Sequence, residues 1–251
     1  MTSGGEIDDP RRKLLVGMLA SGLFVASKPG ILINTVQAQI LGKIPGPLDS
    51  GQSIYELSGK VFVNGQLANI DTFISANDKI ETQNNSHVIF VVGKDSFILQ
   101  SNSSLQLVAE KNTGVSEKLK ATSVATMRLL TGKLLSVFGK REHKITTAIA
   151  TIGIRGTGVY IESDPDESYI CTCYGITDLS AISDPANTET IVSTHHSAPR
   201  YISASSSSGK LIHPAPFKNH DDEELALIEA LVGRSPPFPV PANLRSRSRR
   251  Y

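Results

Sequence analysis

A mainly β fold, a sandwich, roll or barrel-like domain followed by one short C-terminal α-helix, is what the sequence predicts. Three observations carry that prediction. Short β-branched or aromatic runs recur from residue 57 to residue 178, broken by Gly, Asn, Asp and Ser. Helical periodicity is almost absent until about residue 220. Trp is missing and aromatic residues make up only 6%, so aliphatic side chains must fill the core. With 39% hydrophobic and 20% charged residues, the body of this 251-residue chain is globular: one medium domain with appendages, or two small ones.

The chain opens on an address. Arg11, Arg12 and Lys13 lead into an uncharged, mostly apolar run over 14–26, and Val36-Gln37-Ala38 offers small residues for cleavage after Ala38. A basic region, an apolar run and a small-residue site describe a secretory signal peptide over 1–38. The adjacent pair Arg11-Arg12 suggests the twin-arginine kind, a receptor-read address. The apolar run falls short of the about 20 residues that a membrane span needs, so the mature protein is expected to be periplasmic or secreted with no stable span. Residues 39–56, with Pro45, Gly46 and Pro47, read as a linker.

The strands follow in order. Residues 57–64 alternate around Val61 and Val63 and reach Asn64-Gly65, a strong hairpin signal. Ala76-Asn77-Asp78 turns the chain into 79–82. Residues 87–92 form a continuous apolar run, as in a strand buried on both faces. Turns at 93–96 and 101–104 set off strands at 97–99 and 105–108. Residues 110–126 read as a polar excursion, after which strands are expected at 127–138, 145–152, 159–162 and 169–174.

The segments GKVFVNG, NDKIET, VIFVVGKDSFILQSNSSLQL, LLTGKLLSVFG and ITTAIATIGIRGTGVYIE occur in the order found in FecR domains, and 57–178 resembles that family. The resemblance implies an extracytoplasmic β domain. The name-giving members sense the state of an iron-citrate transporter and signal through a membrane helix to a sigma factor. Only residues 1–13 precede the apolar run here, which leaves no room for a sigma-binding domain. The expectation is therefore a non-enzymatic binding or sensing module of the cell envelope, bound to an envelope protein or a cell-wall polysaccharide. Two alternatives stand beside it: a periplasmic metal (zinc or copper) or redox binding protein using the pair Cys171 and Cys173 with a histidine, and an iron-uptake signalling component acting in trans with a separate membrane regulator.

Gly153, Arg155, Gly156 and Thr157 read as a strand, a tight corner and a second strand. Glycine supplies backbone angles closed to other residues, and Arg155 ties neighbouring strands, so the motif is expected to be structural. Formal net charge is +1 and four arginines fall within 245–250, leaving a mildly acidic body. That is not the footprint of a nucleic-acid-binding domain.

Distinctive chemistry begins at Cys171 and Cys173. On a strand they project to one face, with Cα atoms about 6.5 Å apart. That is an awkward disulfide, although an exported protein favours one. Two thiolates on one face are half of a tetrahedral metal site. The histidines cluster downstream at His195, His196, His213 and His220, and His195 and His196 would face opposite ways on a strand. The candidate site is Cys171 and Cys173 with His195, His196 or His213, holding zinc or copper. A disulfide of the two cysteines, or no cofactor at all, fits equally. No protease or hydrolase signature surrounds these residues, so no enzymatic activity is expected.

Residues 179–219 read as an irregular, His-rich extension. The helix is expected over 220–233: Asp221 and Glu224 make a capping box, and Leu225, Ile228, Leu231 and Val232 form the apolar stripe. A Pro-rich and basic tail occupies 234–251.

Overall fold

The computed structural model describes residues 45–109 and 124–239. The signal-peptide reading, with Arg11, Arg12 and Ala38, lies outside the described residues, as do most of the 110–126 excursion and the basic tail. The described chain is mainly β with a single helix. Its strands are β1 (Ile54–Ser58), β2 (Val61–Val63), β3 (Gln66–Leu67), β4 (Lys79–Thr82), β5 (His87–Val92), β6 (Asp95–Leu99), β7 (Ser104–Ala109), β8 (Val124–Val137), β9 (Glu142–Thr146), β10 (Ala150–Ser163), β11 (Glu167–Ala181), β12 (Thr188–Ser193), β13 (Arg200–Ser203) and β14 (Ile212–Pro214). The helix α1 spans Asp222–Leu231.

All fourteen strands belong to one branched sheet, in the order β14-β13-β11-β10-β9-β8-β7-β4-β2-β3, with β6 and β5 running from β8 to β1 and β12 lying against β11. All neighbours are antiparallel except β8 and β9. Side chains alternate across each strand and sort into two cores. Val88, Phe90, Phe97, Leu99, Leu134, Val159, Ile161 and Ile170 belong to the inner, mostly aliphatic core. Their sequence neighbours Ile89, Ile98, Leu135, Tyr160, Tyr169 and Cys171 face outward into a second cluster, which α1 covers with Leu225, Ile228 and Leu231. Each such side chain contributes about 1.5–3 kcal/mol on burial. That holds down a ten-residue helix that is marginal in isolation. The capping box is present: Asp221 accepts from the Glu224 backbone at 2.8 Å, and Glu224 accepts from the Asp221 backbone at 3.1 Å.

Three expectations need correction. The chain at 153–158 does not turn a corner. It runs straight through in the fourteen-residue β10, carrying a bulge between Arg155 and Gly158. The bulge is where β10 changes neighbours: it pairs with β9 as far as Arg155 and with β8 from Gly158 onward. Gly156 absorbs the extra residues at φ +56°, in left-handed space. At Gly158 a Cβ would lie 2.5 Å from the Tyr174 ring, so only glycine permits that approach. Second, the expected strand at 145–152 is split. Thr147 accepts a backbone bond from Ala150 at 2.9 Å and turns β9 into β10 as a hairpin. Third, the extension at 179–219 is not irregular, because β12 and β13 both pair with β11, and β14 continues that layer. The short polar runs of β12–β14 hid this, since they bury only alternate residues. The strand layer therefore continues past residue 178.

Candidate metal centre

Cys171 and Cys173 lie on the outward face of β11, and both are fully buried. They are free thiols, not a disulfide. Two further segments cross that face. The turn after β12 brings in His196, whose backbone N–H donates to the Cys173 carbonyl at 2.8 Å. Its φ is +48°, an uncommon conformation for a side-chain-bearing residue that recurs where function constrains the backbone. The segment entering α1 brings in His220, stacked on Tyr160 with ring centroids 4.5 Å apart.

Four donor atoms converge, one each from Cys171, Cys173, His196 and His220, all within 4.8 Å of one another. The Nδ1 of His196 is 3.5 Å from Cys171 Sγ and 3.1 Å from His220 Nε2. Zinc bond lengths at tetrahedral angles require donor separations of about 3.3 Å between two nitrogens and about 3.6 Å between nitrogen and sulfur. The observed spacings lie close to both.

The outer nitrogens fix the tautomers. His220 Nδ1 lies 2.8 Å from the Lys218 carbonyl, which can only accept, so this nitrogen carries the proton. His196 Nε2 lies 3.1 Å from the Asp222 carboxylate, which imposes the same logic. The inner nitrogens, His196 Nδ1 and His220 Nε2, therefore face each other and the sulfurs. Two lone pairs 3.1 Å apart repel unless a proton or a cation lies between them. Carbonyl and carboxylate partners behind metal-binding imidazoles are the usual orienting device of such centres.

The thiols are poised unequally. Hydrogen bonding from Cys173, reinforced by His196 and His220 and opposed by burial, brings the Cys171 pKa down to about 4. Burial and the neighbouring sulfur push Cys173 well up. At His196 burial disfavours the charged form, yet contacts with Cys171 and Asp222 raise its pKa above the ordinary value.

The remaining predicted residues are not brought to these four donors. His195 directs Nε2 at Asp222, 2.9 Å and 3.0 Å from its two oxygens, and stays outside the cluster. His213 is carried away on β14, where its ring packs against Tyr201 at 5.7 Å. The β13–β14 pairing sets that position, which proximity in sequence could not convey. His220 takes the place expected of His213. At the glycine motif, Arg155 is exposed and pairs with Asp178 at 2.6 Å. Gly153 lies against the side chain of Asp178, its hypothetical Cβ 3.5 Å away. The Thr157 side chain lies outside the described residues.

No family model matches the chain, and no curated protein matches it. Two solved structures of a "putative anti-sigma factor" from Parabacteroides distasonis are similar in outline, with TM-scores of 0.43 and 0.42 at 8% and 7% identity. Each match covers 60% of this chain and 64% of the other, so the chain spans less than two thirds of the proteins it matches. Likeness at this level carries no argument about function. No helix among the described residues is long and apolar enough to cross a membrane.

Proposed function

We propose that the chain is an exported, non-enzymatic FecR-like binding module of the cell envelope, built around a zinc centre of Cys171, Cys173, His196 and His220. The convergence of those four donors within 4.8 Å is the observation that carries the reading. Two thiolates and two neutral imidazoles form a closed set for tetrahedral Zn²⁺. All four positions are filled by protein, and none is left for water or substrate, which is the mark of a structural rather than a catalytic site. The order of the FecR-like segments supports the envelope module, and the basic-apolar amino end supports export.

The ion would act as a staple. Cys171 and Cys173 belong to β11, His196 to the turn after β12, and His220 to the entrance of α1. One ion joins these three segments and fixes the helix-bearing segment over the outward face of the sheet. A module held in this way presents a helix-covered surface to an envelope partner while zinc is bound.

Zinc titration of the full chain, with hydrogen exchange read along α1, tests the proposal. Protection of α1 that rises with one equivalent of zinc supports it. Exchange unchanged by zinc or by a chelator overturns it, and selective uptake of Cu⁺ moves the centre to copper.

A further inference from the structure

We propose that His195 and Asp222 form a solvent-facing capture site through which the metal ion enters and leaves the buried centre. This rests on the zinc reading above and concerns how that centre is loaded.

The centre needs an access route. Cys171 and Cys173 are fully buried and His220 is 3% exposed, so no ion reaches them directly from water. His196 is the one ligand of the four that is not fully buried. Its ring stands between two donor sets, with Nδ1 facing Cys171 and His220 and Nε2 facing Asp222. On the Asp222 side a surface cavity of about 370 Å³ is lined by His195, His196, Phe217, Asp221, Asp222 and Glu223. His195 and Asp222 are accessible there, their side chains 47% and 26% exposed.

Helix capping explains Asp221 and Glu223, which sit at the N-cap and in the first turn of α1. It does not explain His195, which comes from a different segment yet directs Nε2 at both oxygens of Asp222. The Nε2 atoms of His195 and His196 converge on the same Asp222 oxygen, at 2.9 Å and 3.1 Å. One carboxylate and one exposed imidazole suit a divalent cation that still keeps most of its water. They are too few ligands to retain it against two thiolates and two imidazoles. Three carboxylates around a concave mouth also raise the local cation concentration and the on-rate. The ion would bind His195 and Asp222 first, shed water stepwise, and pass the His196 ring to the sulfurs. His196, bonded to Asp222 through Nε2 and facing His220 and Cys171 through Nδ1, makes the two sites adjacent.

The test is stopped-flow zinc uptake and chelator-driven release in the full chain, with His195→Ala compared against wild type. Uptake and release are expected to slow together by about tenfold, with affinity and stoichiometry unchanged, because a port lies on the barrier and not in the end state. His195→Asp, which restores a metal-binding side chain, is expected to recover most of the rate. Unchanged rates in a His195→Ala protein that binds zinc normally would overturn the port while leaving the centre intact. Lost affinity with faster release would overturn it too, by making His195 a permanent ligand. A wild-type chain that takes up no zinc removes the centre itself, an outcome distinct from both.

Discussion

The glycine bulge of β10 and the cysteine face of β11 lie on paired strands, and they solve opposite problems. At the bulge the backbone is the working part. Gly156 and Gly158 let β10 change partners, and the one charged side chain, Arg155, is 58% exposed in a pair with Asp178. On the cysteine face β11 has its own register shift, Gly158 pairing with Tyr174 and Val159 with Thr172 so that Cys173 is passed over, but there it is side chains from three segments that converge. The bulge is written in consecutive residues and shapes the scaffold. The four donors come from residues 171 to 220 and meet only once the sheet has closed.

Abolishing the centre should produce the larger effect. Cys171→Ser with Cys173→Ser is expected to eliminate zinc binding, and with it the stabilisation that mass action gives the folded state. That amounts to about 4 kcal/mol when zinc stands a thousandfold above its Kd. Thermal unfolding with and without chelator reads this directly: wild type should shift and the double variant should not. Equal shifts in both proteins would erase the contrast between the regions.

Gly158→Ala probes the other region at the backbone. The new methyl would meet the Tyr174 ring, and overpacking of this kind costs about 1–3 kcal/mol. Denaturant unfolding should show that loss, while zinc stoichiometry stays at the wild-type value. A variant as stable as wild type would mean that the glycine at this position is dispensable.

Acid offers a third, smaller lever. Burial opposes ionisation of Glu162, but hydrogen bonds from Tyr160, Asn219 and Lys218 outweigh it and hold its pKa below the ordinary value. A depressed carboxylate contributes stability above its unfolded pKa, and that contribution is lost as pH falls through the lower folded value. Lys218 and Asn219 directly precede His220, so acidification should loosen the helix entrance from this side. Glu162→Gln should flatten the decline in stability below about pH 4.5, measured as unfolding free energy against pH. An unchanged profile would remove Glu162 from the account.

Arg155→Ala should do least. Exposed pairs of this kind are worth roughly 0–1 kcal/mol, and zinc binding should be unaffected. A large loss of stability would show that the bulge depends on its side chain after all.

The two regions also differ in how far the sequence discloses them. The strand runs at 79–82 and 87–92 coincide with β4 and β5, because turn residues bracket them tightly. The capping box at Asp221 and Glu224 was equally legible, since it depends on residues three apart. The glycines at 153–158 announced a special backbone but not its form: a bulge inside one strand and a corner between two use the same residues, and only the partner change from β9 to β8 separates them. Strands β12–β14 were obscured because each buries only alternate residues of short, polar segments. For the centre, period-two alternation correctly put Cys171 and Cys173 on one face. The choice of His220 over His213 required knowing that β14 departs along β13 while the chain returns to the cysteines before α1, a long-range fact with no local signature.

The most direct test is the metal content of the folded full chain, read by native mass spectrometry and by the absorption spectrum after Co²⁺ substitution. One ion per chain is expected, with thiolate-to-cobalt charge transfer and tetrahedral d–d bands, and with loss of both in the Cys171→Ser, Cys173→Ser protein. A chain that carries no ion after exposure to zinc, with both thiols reacting freely whether or not a chelator is present, would contradict it.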